Sequence, residues 1–147
     1  MIHRAILISC HNRKAKTLRC LESLFFTDNK QPHDSKISLD CYLVDDGSTD
    51  GTFDPVSLAF PEVELIEGSG KLYWNKAMRL AWQTALDKRH YDFYLWLNDD
   101  VILYPNMLKK LIYCYGEIEK HDQSIGALTG TLQDPSTKLP SYGGRNS

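Results

Sequence analysis

Four short apolar runs in this chain each break off into a polar cluster, and three of those clusters lead into a stretch with helical periodicity. Residues 4–9, Arg-Ala-Ile-Leu-Ile-Ser, stop at Cys10-His11-Asn12-Arg13, after which Leu18, Leu21, Leu24 and Phe25 share one helical face ending near Phe26. Residues 39–44, Leu-Asp-Cys-Tyr-Leu-Val, run into Asp45-Asp46-Gly47-Ser48-Thr49-Asp50-Gly51-Thr52, made almost wholly of turn formers. An edge-like run at 63–67 meets Gly68-Ser69-Gly70, and a helix then carries Ala77, Leu80, Ala81, Thr84 and Ala85 on one face. Residues 92–97, Asp-Phe-Tyr-Leu-Trp-Leu, end in Asn98-Asp99-Asp100. Pro105 then suits the first turn of a helix over 105–120 that bears Leu108, Leu111, Ile112 and Tyr115. Residues 27–38 read as a loop and 125–132 as a fifth strand, ahead of a turn-rich tail.

Strands that alternate with helices are joined by crossovers and run parallel, and a parallel sheet hides both faces under helices. The expected fold class is therefore α/β, with a mostly parallel sheet sandwiched by helices. In such sheets ligands bind outside the carboxyl ends of the strands, where every polar cluster named above falls. Residues 10–13, 45–50, 68–71 and 98–100 are expected to converge on one crevice.

A length of 147 residues fits one domain over 1–147. With 42% hydrophobic and 24% charged residues the composition is that of a globular protein, and a net charge of -2 gives no reason to expect nucleic acid as a partner. Cys10, Cys20, Cys41 and Cys114 form no CxxC pair, which suits reduced thiols and a cytoplasmic location, including the inner face of the membrane. No stretch approaches the ~20 apolar residues of a membrane span. His3, His33, His90 and His121 are scattered, and His11 alone sits on the expected rim.

The acids carry the chemistry. Asp45 or Asp46 and Asp99 or Asp100 come from different strands yet face one crevice, where like charges repel unless a cation compensates. Carboxylate oxygens are hard ligands, and Mg²⁺ or Mn²⁺ is commonly held by one or two of them with substrate phosphates completing the shell. A nucleoside diphosphate fits that requirement. Other motifs fail: Gly68-Ser69-Gly70-Lys71 lacks the first glycine and the Ser or Thr of a phosphate loop, since Leu65 and Leu72 stand there. The third glycine of a dinucleotide fingerprint is replaced by Tyr73, and the twelfth position of a calcium loop begun at Asp46 is Ser57.

Asp45 to Thr52 resembles the Asp-Asp-Gly-Ser-Thr-Asp-Gly-Thr turn of the family 2 glycosyltransferases of GT-A fold, and Leu97-Asn98-Asp99-Asp100-Val101 is similar to their metal-binding Asp-x-Asp strand end. The resemblance implies that Ser9, Cys10 and His11 line the nucleotide base and ribose, and that Asp45 or Asp46 hydrogen-bonds one of them. It implies Asp100 as metal ligand, with Asn98 in place of the first acid and Asp99, also counted with the nucleotide-binding residues, or water completing the sphere. Residues 70–77 sit where many relatives have Gly-x-x-x-Ala-Arg-Asn-x-Gly; Asn75 matches the Asn, Trp74 replaces the Arg, and Lys71 joins the nucleotide-binding set. The helix start there suits diphosphate binding. Tyr73 and Trp74 resemble the rhamnosyltransferase-like branch, which implies a UDP- or dTDP-linked sugar as donor, with simple packing of both rings as the competing account.

Family members run on for another ~100 residues or more, a length consistent with a larger α/β domain. By resemblance, that part supplies the general base of inverting members and most of the acceptor pocket. The expected function is transfer from a nucleotide-diphosphate sugar to a hydroxyl acceptor whose identity the residues leave open, in polysaccharide biosynthesis. A truncated nucleotide-sugar-binding module without transfer activity is the alternative. A nucleotidyltransferase would want a glycine-rich loop after the first strand, and residues 10–13 contain no glycine. Among the acids after Asp100, Glu117, Glu119 and Asp122 fall on or just after the expected helix and Asp134 in a turn, so none is placed as base. A bare flank on the fifth strand would favour self-association.

Overall fold

The computed structural model describes residues 2–28, 37–122 and 126–142. The chain divides into two compact units, Met1–Tyr104 and Pro105–Ser147. In the first, β1 (Ile2–Cys10), β2 (Ile37–Asp45), β3 (Val63–Glu67) and β4 (Phe93–Asn98) form one sheet in the order β3-β2-β1-β4. Every pairing is parallel, with Cys10 opposite Asp45 and Ser9 opposite Asn98 at the carboxyl edge. The α/β architecture with a mostly parallel sheet is thus the observed one. Chain order runs outward from β1 through β2 to β3 and then reverses to β4, which puts a topological switch point between β1 and β4.

The strands read as continuous apolar runs because both faces are covered. Ala5, Leu7, Tyr42 and Val44 pack against Ala77, Met78, Ala81 and Ala85 of helix α3 (Tyr73–Lys88), whose small residues let it lie close to the sheet. By strand alternation Ile6, Ile8, Cys41 and Leu43 face the opposite side. Helix α1 (Lys14–Asp28) lies there, with Cys20 beside Cys41 and its Sγ donating to the Asn98 carbonyl at 3.5 Å. A short helix that the periodicity did not reveal, α2 (Phe53–Ala59), follows the acidic turn; the next residue, Phe60, stacks on Phe25 with centroids 5.6 Å apart. Its seven residues are too few to print an amphipathic pattern.

The expected loop over 27–38 is trimmed at both ends: α1 runs to Asp28 and β2 begins at Ile37, and 29–36 lie outside the described residues. In the second unit α4 (Met107–Glu119) buries Leu108 and half-buries Leu111, Ile112 and Tyr115, the expected face. Pro105 is not in its first turn. Asn106, at φ 62, precedes the helix in left-handed conformation, so the proline serves the turn ahead of it. The fifth strand over 125–132 is also corrected: 126–131 form none, and only β5 (Leu132–Gln133) pairs, antiparallel to β6 (Pro140–Tyr142). Gly126 and Gly130 weaken a strand there, and both β5 residues are exposed with no sheet face to bury. No fifth strand flanks the four-stranded sheet among the described residues, and residues 143–147 lie outside them. No described helix is long and apolar enough to cross a membrane.

Candidate functional site

At the carboxyl edge of the sheet lies a crevice of about 550 Å³ lined by Ser9, Cys10, His11, Arg13, Asp46, Gly70, Tyr73, Trp74, Ala77, Asn98, Asp99 and Asp100. Its volume is in the range of small-ligand sites. Six of the sequence-selected residues, Ser9, Cys10, His11, Asp46, Asp99 and Asp100, meet there. Asp45, Lys71 and Asn75 do not line it. A smaller cavity of about 320 Å³ lies toward the amino ends of β2 and β3, where Lys88 pairs with Glu64 at 3.2 Å.

Backbone bonds stitch the strand ends together. The Asp46 amide donates to the Cys10 carbonyl at 2.9 Å, and the Gly68 amide to the Asp45 carbonyl at 2.8 Å. The turns touch backbone to backbone: a Cβ on Gly47 (φ 69) would sit 2.8 Å from the Gly70 Cα, and one on Gly68 would sit 2.8 Å from the Asp46 Cα. Only glycine fits either contact without moving the main chain.

Asp45 and Asp46, equivalent on sequence grounds, do different work. Asp45 is buried, and its Oδ1 accepts the Ser48 amide at 3.0 Å within its own turn. Asp46, also buried, accepts Gly70 N–H on Oδ1 at 2.8 Å and both Leu72 and Tyr73 N–H on Oδ2 at 2.9 Å. The Leu72 and Tyr73 amides open α3, and Gly70 belongs to the turn ahead of it. Two of the donors that this helix start was expected to offer a diphosphate are thus already taken by the Asp46 carboxylate.

The connection after β1 is held with equal thoroughness. His11 Nδ1 lies 2.7 Å from the Asp46 carbonyl, which makes it the donor nitrogen and leaves Nε2 to accept from Asn12 Nδ2 at 3.1 Å. The Asn12 side-chain oxygen takes the Thr49 amide at 2.7 Å. Asp50 caps α1 from a distance, its Oδ2 accepting the Lys14 amide at 3.0 Å. That acid sits lower than an ordinary carboxyl, chiefly through the Thr52 hydroxyl and then the Lys14 amide.

Across the switch point, Arg13 donates through one nitrogen to Asp99 Oδ1 at 3.2 Å and Asp100 Oδ2 at 3.0 Å. Burial raises the Asp99 carboxyl and the Arg13 charge opposes it. Asp100 is exposed. Arg13 was legible only as a member of the polar cluster 10–13; its pairing with acids 86 and 87 positions away has no sequence signature. Tyr73 and Trp74 are 79% and 51% exposed and both line the crevice, so full packing is not their state, although Trp74 meets Trp96 edge-on at 5.8 Å.

Burial raises the Cys10 thiol to about 12, and Cys20 likewise to about 12. Cys10 is therefore a protonated lining group and no nucleophile. With Cys41 also buried and only Cys114 exposed, a thiol reagent is expected to modify one of the four cysteines in native protein and all four after denaturation. Rapid native labelling of a second cysteine, located by peptide mapping, would show that the crevice wall opens.

The parallel sheet, its switch point and the acid-lined crevice at the carboxyl edge define an α/β domain with the crevice where such folds bind ligands. The chain belongs to glycosyl transferase family 2, whose model matches residues 5–140. No curated protein matches it significantly. Among solved structures it is similar to S. aureus TarS 1-349 in complex with UDP, with 18% identity, TM-score 0.63, and coverage of 96% of this chain and 38% of that one. Another crystal structure of TarS 1-349 has 21% identity, TM-score 0.56, and coverage of 80% of this chain and 33% of that one. The chain thus spans 33–38% of the length of these relatives.

Proposed function

We propose that this chain forms the nucleotide-sugar-binding part of a glycosyltransferase, taking a UDP- or dTDP-linked sugar together with Mg²⁺ or Mn²⁺. The observation that carries the reading is the crevice at the switch point, where the Asp99–Asp100 pair faces an aromatic rim of Tyr73 and Trp74 across one ligand-sized space. Family membership and the UDP complex of TarS support it. The donor set fits a hard cation. Among the described residues no three His, Cys, Asp or Glu side chains cluster as a metal site, so Asp100 and Asp99 would supply one or two oxygens and the diphosphate the others. A cation held there would offset negative charge developing on the departing diphosphate.

In the reaction the acceptor hydroxyl oxygen bonds to the anomeric carbon, the bond to the diphosphate breaks, and the hydroxyl proton passes to a base. Ser9, Cys10 and His11 would form the wall against base and ribose, and Arg13 would carry positive charge toward the phosphates. None of the three lining carboxylates is a free base, because Asp46 accepts three amides and Asp99 and Asp100 share Arg13. In the second unit the Ser136 hydroxyl and then the Thr137 amide hold the Asp134 carboxyl low, at about 2. In this reading the role of the described residues is donor binding.

Calorimetry with UDP and dTDP tests this. Binding that strengthens at least about tenfold on adding Mn²⁺ is expected, as for ligands that share a charged site. Silence toward both nucleotides, with and without Mn²⁺, would remove the proposal.

A further inference from the structure

We propose that Arg13 is the resident counter-ion of Asp99 and Asp100, and that a divalent cation arriving with a nucleoside diphosphate displaces it, freeing the guanidinium for the diphosphate. This rests on the preceding reading of the crevice and assigns a positioning residue within it.

Three features make the pair exchangeable. Arg13 reaches both acids through a single nitrogen, at 3.2 and 3.0 Å, and not as the bidentate fork that makes arginine–carboxylate pairs strong. Its side chain is 47% exposed, so withdrawal needs no repacking of the core. It also belongs to the connection between β1 and α1, one residue before the helix begins, and lines the same crevice as the acids. A planar guanidinium released there matches phosphate oxygens as well as carboxylates.

Charge balance gives the order of events. The two carboxylates face Arg13 and, at 4.0 Å from Asp100, Lys16. Two negative charges thus face two positive ones, while Asp46, the third lining carboxylate, is held by three backbone amides. A divalent cation entering alone would meet the Arg13 and Lys16 cations and leave an excess of positive charge; a nucleoside diphosphate entering alone would meet both carboxylates. Together they cancel, and Arg13 and Lys16 can turn from carboxylate to phosphate. The structure thus favours coupled binding over a preformed metal site.

The test measures Mn²⁺ by electron paramagnetic resonance and UDP by calorimetry in wild type, Arg13→Gln and Arg13→Lys. Wild type is expected to bind Mn²⁺ weakly alone and each ligand more tightly with the other. In Arg13→Gln, Mn²⁺ alone should bind about tenfold more tightly and UDP with saturating Mn²⁺ about tenfold more weakly, a change typical of one close charge pair. Mn²⁺ should also raise the Tm of Arg13→Gln more than that of wild type. Arg13→Lys should still exclude Mn²⁺ but lose part of the UDP affinity, which also decides the matter if Arg13→Gln does not fold. Wild-type coupling alongside an Arg13→Gln protein whose Mn²⁺ and UDP affinities match wild type overturns the role of Arg13 alone, as does Arg13→Lys with unchanged UDP affinity. A wild type that binds neither Mn²⁺ nor UDP overturns the reading of the crevice, and this proposal with it.

Discussion

Asp46→Ala is expected to lose about 2–4 kcal/mol of stability, since three charge-assisted hydrogen bonds disappear at once and their donors are left to find water. The carboxylate ties the end of β2 to Gly70, Leu72 and Tyr73, so its loss frees both the turn after β3 and the start of α3. Asp46→Asn should recover little. An amide keeps one acceptor oxygen but turns its NH₂ toward N–H groups that need an acceptor, whichever way it is flipped. Urea denaturation measures both, and UDP affinity is expected to fall with stability because Gly70, Tyr73 and Trp74 line the crevice. If both variants stay within about 0.5 kcal/mol of wild type, the ordinary range for an inert surface change, Asp46 is not the anchor of this loop.

Asp100→Ala is expected to do the opposite: little to the fold and much to the ligand. Its side chain is 38% exposed and its partner Arg13 47%, and an ion pair so solvated contributes within about 1 kcal/mol. Loss of a direct metal oxygen should weaken Mn²⁺-dependent UDP binding by about 100-fold, the upper end of what even outer-shell changes cost. Binding of UDP without metal should change far less. Calorimetry with and without Mn²⁺, run beside thermal melting, separates these effects. A variant that loses thermal stability in proportion to affinity would make Asp100 a structural carboxylate.

These two acids mark the boundary between local and long-range information. The four strands were legible because burial on both faces demands uninterrupted apolar runs, and residues 63–67 coincide with β3. The placing of acids at strand ends was legible too, because the turn formers 45–52 and 98–100 interrupt those runs at the edge where α/β sheets bind ligands. Helix α3 announced itself through Ala77, Ala81 and Ala85. Helix α2 did not, being too short for a period, and 125–132 misled because its apolar content matched a strand while its pairing depends on a neighbour that local sequence does not encode.

The division of labour among the acids was decided in three dimensions. Asp45 and Asp46 are adjacent and chemically identical, and strand alternation sends them to opposite sides, one into its own turn and the other onto amides 24 to 27 positions ahead. Arg13 reaches acids 86 and 87 positions away only because β1 and β4, far apart in the chain, are neighbours in the sheet. Local periodicity reports which face of an element is buried, and so the amino-acid sequence determined the elements, the fold class and the rim on which the polar residues gather. Which donor meets which acceptor depends on strand order and turn contacts, and only the tertiary structure decided that Asp46 anchors a loop while Asp99 and Asp100 meet Arg13.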